Sequence, residues 1–185
     1  MHTSLDGFVA GPKGEMNWIK FDNELFDFVD TMTANADTAL YGRVTYEIMQ
    51  NYWPNAGKQP NASKHEKEHT AWYSKVNKVV LSTTMQENDL ENTKVVADQI
   101  PEQIHDLKSQ DGDNILIFGS PSATQTLLRL GLIDEFWLFV NPVLIGQGIP
   151  LFKEVTDITH LNLIESKSFG CGVIALHYGV ELSKA

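Results

Sequence analysis

The sequence predicts an α/β fold: a mostly parallel sheet with helices on both faces and an antiparallel edge. Three observations carry that prediction. Short apolar runs alternate with helix-periodic segments along most of the 185 residues. The final pair of runs, 161–168 and 173–178, instead flanks Gly170-Cys171-Gly172 and reads as a hairpin. Three segments set a small polar run where a strand meets a helix: Leu40-Tyr41-Gly42-Arg43-Val44-Thr45-Tyr46, Val79-Val80-Leu81-Ser82-Thr83-Thr84, and Ile115-Leu116-Ile117-Phe118-Gly119-Ser120-Pro121-Ser122. Strand ends facing helix starts are where open α/β sheets bind phosphorylated cofactors.

The elements follow in order. Met1-His2-Thr3-Ser4-Leu5-Asp6-Gly7 reads as a short strand, or the tail of a longer one, entering a turn in which Asp6 bonds local backbone N–H groups. Phe8-Val9-Ala10 is a brief apolar step, and Gly11-Pro12-Lys13-Gly14 a loop leading to Met16 and Trp18. Asp22 or Asn23 caps a helix with Leu25, Phe26, Val29 and Met32 at helical spacing. Thr38-Ala39-Leu40-Tyr41 is a short strand, and a helix begins over 44–49. Residues 51–61, rich in Pro, Asn and Gly, are predicted as a loop. A mostly charged helix over 63–76 carries Trp72 and Tyr73 on its apolar side. Val79-Val80-Leu81 marks a buried strand over 78–82, and Val95-Val96 a short one. A helix is predicted over 100–108, with Pro101 in its first turn. Ile115-Leu116-Ile117-Phe118 is a continuous apolar run, hence a central parallel strand. The next helix has Ser120 as its cap, Pro121 in its first turn and Gly131 past its end. A strand follows over 136–143. No repeat or linker interrupts the chain, so 1–185 reads as a single domain.

Composition excludes several functions. The net charge is −10, from 14 Lys+Arg against 24 Asp+Glu, and such a surface repels nucleic acid and acidic membranes. Arg43 and Arg129 are the only arginines, so a bound anion must rely on backbone N–H groups and one or two cations. The single Cys171 leaves no internal disulfide and no Cys-x-x-Cys metal site. No apolar run approaches a membrane span, and the start lacks a signal-peptide pattern, so a cytoplasmic location is expected.

Each polar turn has two readings. Gly42 lets a ligand approach the backbone, the helix start after it offers unpaired N–H groups, and Arg43 can grip a phosphate with two bonds. The same residues also suit a plain turn with a surface arginine. The Ser82-Thr83-Thr84 hydroxyls either reach a ribose phosphate or cap their own turn. Gly119-Ser120-Pro121-Ser122 is either a phosphate cradle or an ordinary capped helix start. Their recurrence in successive α/β units favours a nucleotide cofactor.

With these words in hand, the chain resembles the dihydrofolate-reductase-like superfamily, and within it the reductase domain of bacterial riboflavin biosynthesis and its stand-alone relatives. The ordered set is Ser4-Leu5-Asp6-Gly7-Phe8-Val9-Ala10, Tyr41-Gly42-Arg43-Val44-Thr45-Tyr46-Glu47, Val80-Leu81-Ser82-Thr83-Thr84, Phe118-Gly119-Ser120, Leu130-Gly131-Leu132-Ile133-Asp134-Glu135, Pro142-Val143-Leu144-Ile145-Gly146-Gln147-Gly148 and Leu151-Phe152. The resemblance implies a three-layer fold with a mostly parallel central sheet and an antiparallel C-terminal hairpin. It implies NADPH as cofactor. Gly42, Arg43, Val44, Leu81, Ser82 and Thr83 would hold the adenosine end, with Arg43 and the hydroxyls facing the 2′-phosphate. Thr45, Phe118, Gly119, Ser120, Ser122 and Ala123 would line the pyrophosphate. The loop with Met16 and Trp18 would act as a lid, with Gly11 and Gly14 giving it freedom to move. A homodimer is expected, with 141–152 as an apolar interface.

Two departures shape the functional expectation. Where many dihydrofolate reductases have Gly-Gly, this chain has Gly119-Ser120. Where they carry a pterin-anchoring acid and its partner threonine, ungapped counting lands on Phe26 and Phe139. Asp22 and Asp27 fall beside the first position, not on it. Met16, Trp18, Phe26 and Phe139 therefore suggest a more apolar substrate pocket. The expected activity is an NADPH-dependent reductase that transfers hydride to a C=N or C=C bond of a small heterocycle, pterin- or flavin-precursor-like. No residue is assigned as catalytic, and the proton is expected from water. The alternative is a non-catalytic nicotinamide-nucleotide-binding protein on the same fold. His65-Glu66-Lys67-Glu68-His69 matches the zinc-protease pattern H-E-x-x-H, but its charged interior reads as a solvated helix face, and no metal site is assigned.

Overall fold

The computed structural model describes residues 1–86, 90–153, 155 and 157–181. Along the described chain run β1 (His2–Ser4), β2 (Phe8–Ala10), α1 (Asn23–Ala34), β3 (Ala36–Gly42), α2 (Arg43–Ala56), α3 (Lys64–Tyr73), β4 (Asn77–Leu81), β5 (Thr93–Val96), α4 (Ile100–Lys108), β6 (Asn114–Ile117), α5 (Pro121–Arg129), β7 (Glu135–Asn141), β8 (Ile149–Pro150), β9 (Leu161–Ser168) and β10 (Ile174–Val180). They group into two compact units: Leu25–Ser120, and Met1–Glu24 together with Pro121–Ala185.

In the Leu25–Ser120 unit, four strands form a sheet in the order β5-β4-β3-β6, and every neighbouring pair is parallel. The central strand is β3, where Ala39, Leu40 and Tyr41 are essentially solvent-free. Tyr41, Tyr46, Tyr73, Val76 and Val80 make its core, with Met49, Trp53, Trp72 and Phe118 packed against them. The apolar run expected at the sheet centre is β6. It is only half-buried, and among the described residues it pairs with β3 alone. An apolar run of four residues cannot by itself distinguish a central strand from a flanking one.

The predicted loop over 51–61 is helical as far as Ala56, with Pro54 inside the last turn of α2. Proline removes one helical N–H there, and packing on α3 carries the helix past it. Trp53 lies against His69 with ring centroids 3.8 Å apart. The Thr70 hydroxyl donates to the Trp53 carbonyl at 2.8 Å and accepts the Gly57 N–H at 2.8 Å. A side chain at Gly57 would lie 2.7 Å from the Glu66 carbonyl oxygen, so glycine is what lets the two helices close. Ser63 starts α3 through a reciprocal capping box with Glu66. The prediction for α4 coincides with the observed span, and Pro101 opens it.

The other unit holds a sheet in the order β1-β7-β10-β9. Strand β1 runs parallel to β7, with His2 opposite Phe139 and Ser4 opposite Asn141. The β9–β10 hairpin is antiparallel, as read from the sequence, and β7 joins β10 antiparallel. Strand β7 stops before Pro142, which has no N–H to give a ladder. The β2–β8 pairing, Phe8 opposite Pro150, has no counterpart in the predictions. Helix α5 ends in a Schellman turn: Gly131 has φ 65°, its N–H reaches the Leu128 carbonyl, and the Leu132 N–H reaches Leu127. Among the described residues no helix is long and apolar enough to cross a membrane.

Candidate functional site

The register of the parallel sheet brings the three polar turns to one edge. Gly42 lies opposite Leu81, and Leu40 opposite Ile117, so β3, β4 and β6 end side by side. The chain leaves β3 toward β4 and β5, then returns to add β6 on the other side of β3. That reversal between β3 and β6 is where open α/β sheets leave a crevice for ligands.

Two turns flank the reversal. At the end of β3, Gly42 caps α2 with φ −83° and ψ 159° and supplies no capping oxygen; the first turn also contains no acid. The N–H groups of Arg43, Val44 and Thr45 thus carry the positive end of the helix without a side-chain cap. After β6, Gly119 (φ 57°) and Ser120 (φ 60°) are both left-handed. Serine thus keeps the backbone geometry that glycine favours, at a cost of ~1–2 kcal/mol. Ser120 is buried, and its Oγ accepts the Gly42 N–H at 2.8 Å. This hydroxyl was expected to cap α5; it instead locks the two turns together across the reversal. Thr45 also meets the Gly119 turn, since a Cβ at Gly119 would touch its methyl group at 3.5 Å.

Arg43 is half-exposed, and its guanidinium donates to Glu47 at 2.8 Å, one helical turn on. Val44 is exposed. Leu81 ends β4, and the Ser82 Oγ accepts the N–H groups of Thr84 at 3.2 Å and Met85 at 3.0 Å, which is the turn-capping reading. Thr83 is exposed beside it. The Phe118 ring packs on Trp72 and Tyr41, so Phe118 offers the turn only its backbone.

Of the remaining predicted residues, Phe26 stacks on His65 with centroids 4.3 Å apart. Met16, Trp18, Ser122, Ala123 and Phe139 belong to the other unit. Met16 and Ser122 are exposed, whereas Ala123 is buried. Phe139 is 4 % exposed and stacks on His2, as a core residue. Burial pushes the His2 imidazole down to about 3. The Gly11–Gly14 loop is closed by the Gly11 N–H on the Glu15 carbonyl and the Gly14 N–H on Gly11. Trp18 Nε1 donates to the Glu15 carbonyl at 3.1 Å.

Sequence reasoning missed Asn141. It is fully buried, accepts the Lys20 N–H at 2.9 Å and donates to the Thr3 and Phe139 carbonyls, so it pins the segment after Trp18 onto β1 and β7. A polar residue just before Pro142, at the end of an apolar strand, was its only signal. Both acids near Phe26 are engaged: Asp22 accepts the Cys171 N–H at 2.7 Å, and Asp27 pairs with Lys64 at 2.7 Å. Asp6 bonds its own backbone N–H, as expected, and also reaches distant backbone, accepting the N–H groups of Ile145 and Gly146. The Ser4 hydroxyl, then those N–H groups, hold its carboxyl below the ordinary 3.8.

The solvated helix face expected for the H-E-x-x-H segment is corrected. Lys67 and Glu68 face water, but His65 is half-buried and His69 is 5 % exposed. An i, i+4 pair shares one face, and here that face turns inward. Burial lowers the His69 imidazole to about 3.

A family model described as the RibD C-terminal domain matches residues 1–175. The chain belongs to that family. It is 34 % identical over 176 residues to the uncharacterized Bacillus subtilis protein YyaP, covering 95 % of this chain and 89 % of that one. Among solved structures it is similar to a Shewanella sp. PV-4 protein named for riboflavin biosynthesis, with a TM-score of 0.76, 23 % identity, and 98 % and 97 % of the two chains covered. It is also similar to Acinetobacter baumannii RibD, with a TM-score of 0.70 and 19 % identity; 98 % of this chain corresponds to 56 % of that one. The fold is therefore the dihydrofolate-reductase-like fold of RibD C-terminal domains.

Proposed function

We propose that this member of the RibD C-terminal family is an NADPH-dependent reductase acting on a C=N or C=C bond of a small heterocycle, pterin- or flavin-precursor-like. The observation that carries the reading is the shared edge of the parallel sheet, where an uncapped helix start, Arg43 and the Gly119-Ser120 turn stand together at the strand-order reversal. The residues fit a dinucleotide. The α2 N–H groups and the Arg43 guanidinium suit a phosphate, and the Ser82 and Thr83 hydroxyls lie at the neighbouring strand end. The Ser120–Gly42 bond pre-orders the turn, so less freedom is lost on binding. When bound, the cofactor supplies the hydride. The protein contributes binding, orientation and exclusion of water.

A second reading, a nucleotide-binding protein without turnover, is favoured by Asp22 and Asp27, whose carboxylates are already committed to Cys171 and Lys64. Stopped-flow oxidation of bound NADPH by pterins, flavin precursors and quinones separates the two. Turnover with any of them supports the reductase, and tight binding without turnover on the whole panel supports the second reading.

A further inference from the structure

Asp30 on α1 meets the two histidines of α3. His65 Nδ1 lies 2.8 Å from Asp30 Oδ1. One ligand atom from each of Asp30, His65 and His69 lies within 4.8 Å of the other two. Two atoms of this trio, Asp30 Oδ2 and His69 Nδ1, are buried without a hydrogen-bond partner among the described residues. Leaving a buried polar atom without a partner is costly, and this cluster holds two on neighbouring side chains. The surroundings are aromatic: Phe26 stacks on His65, and Trp53 and Trp72 contact His69. The side chains of Asp30 and His65 keep 15 % and 12 % exposure, which leaves a way in from solvent.

We propose that Asp30, His65 and His69 form a three-ligand site for a divalent transition-metal ion of the zinc class, joining α1 to α3. Two imidazoles and one carboxylate are a donor set that zinc takes with bonds of about 2.0–2.2 Å. Ligands on one tetrahedral ion then stand roughly 3.4 Å apart, so side-chain rotations of about an ångström draw this trio into place. The ion meets the demand that hydrogen bonding leaves open, giving a partner to Asp30 and to His69. The Asp30–His65 contact already holds two of the three ligands side by side.

The site is not that of a protease. In the H-E-x-x-H arrangement the glutamate acts as general base. Here Glu66 Oε2 accepts the Ser63 N–H at 2.7 Å and the Ser63 hydroxyl at 2.8 Å, while Oε1 accepts the Tyr52 hydroxyl at 3.0 Å. Glu66 is committed to starting the helix, so the ion's role is to tie the two helices.

The test uses the full chain without a histidine tag, stripped with chelator and titrated with Zn²⁺ against a chromophoric competitor. Co²⁺ serves as a visible probe of coordination. The expected result is one equivalent of Zn²⁺, a Co²⁺ absorption band of low coordination number, and a rise in the unfolding midpoint with metal. Asp30→Asn and His69→Gln each remove a ligand and should weaken Zn²⁺ at least as much as loss of an outer-shell partner does, about 10- to 100-fold. Glu66→Gln, which preserves a capping box, should leave affinity within about threefold. Far-UV circular dichroism of the stripped variants separates ligand loss from unfolding, and the more exposed Asp30→Asn carries the test if His69→Gln does not fold. Absence of saturable Zn²⁺ binding by the folded wild type, or binding unchanged in Asp30→Asn, overturns the proposal.

Discussion

Replacing Arg43 by alanine probes the cofactor reading at its single strongest side chain. A charge-assisted bond to a 2′-phosphate contributes about 1.5–3 kcal/mol. Arg43 already binds Glu47 at 2.8 Å, and its side chain is 44 % exposed. An exposed i, i+4 pair contributes only about 0.3–0.5 kcal/mol, and that contribution is lost when the guanidinium turns to a phosphate. The difference, about 1–2.7 kcal/mol, corresponds to a loss of NADPH affinity of roughly 5- to 100-fold. NADH has no 2′-phosphate and should be nearly unaffected. Glu47→Gln releases Arg43 and should tighten NADPH about twofold, a gain that disappears in the Arg43→Ala background. Fluorescence titration of the intact protein with both nucleotides at fixed ionic strength reads all four numbers. Equal losses for NADPH and NADH, or unchanged NADPH affinity in Arg43→Ala, refute the reasoning.

Three further outcomes follow from the geometry. Ser120→Ala keeps the left-handed strain and strands the Gly42 N–H, so urea unfolding should show a loss of about 1–3 kcal/mol. Ser120→Gly should lose about 1 kcal/mol less, because it relieves the strain; the reverse order would contradict the left-handed strain at this position, and no loss in either variant would contradict the role assigned to the hydroxyl. Gly57→Ala forces a Cβ onto the α3 backbone and should destabilise by about 1–3 kcal/mol, whereas a neutral result would mean that the helices separate cheaply. Asp6 titrates below its ordinary 3.8 when folded, so its contribution is present above that value and fades as pH falls through the depressed one. Asp6→Asn should therefore lower stability at neutral pH and flatten the acid limb of the stability curve; a wild-type limb in the variant would count against the Ile145 and Gly146 contacts.

Local chemistry explains which elements could be read in advance. Pro101 and the Pro121–Gly131 pair punctuate α4 and α5, and Val79-Val80-Leu81 marks β4, because each signal is contained in its own segment. The same logic failed where a distant partner decides. Pro54 argues for a loop until the contacts of Trp53 and Thr70 are known. The charges of Lys67 and Glu68 argue for a solvated helix, although the inward face belongs to His65 and His69. Ser120 was legible as a polar turn residue, but its partner at Gly42 stands 78 positions away. The convergence of the three turns was anticipated from strand–helix alternation. Asn141 and the Asp30 contact were not, since both join segments far apart in the chain.

The central claim is that the loops after β3, β4 and β6 grip a dinucleotide's phosphates, and amide-resolved NMR titration of the whole protein with NADPH tests it most directly. The account predicts saturable shifts concentrated at Gly42, Arg43, Val44 and Thr45, at Ser82 and Thr83, and at Gly119 and Ser120. Saturation without movement of those signals, or no binding of either nicotinamide nucleotide, contradicts it.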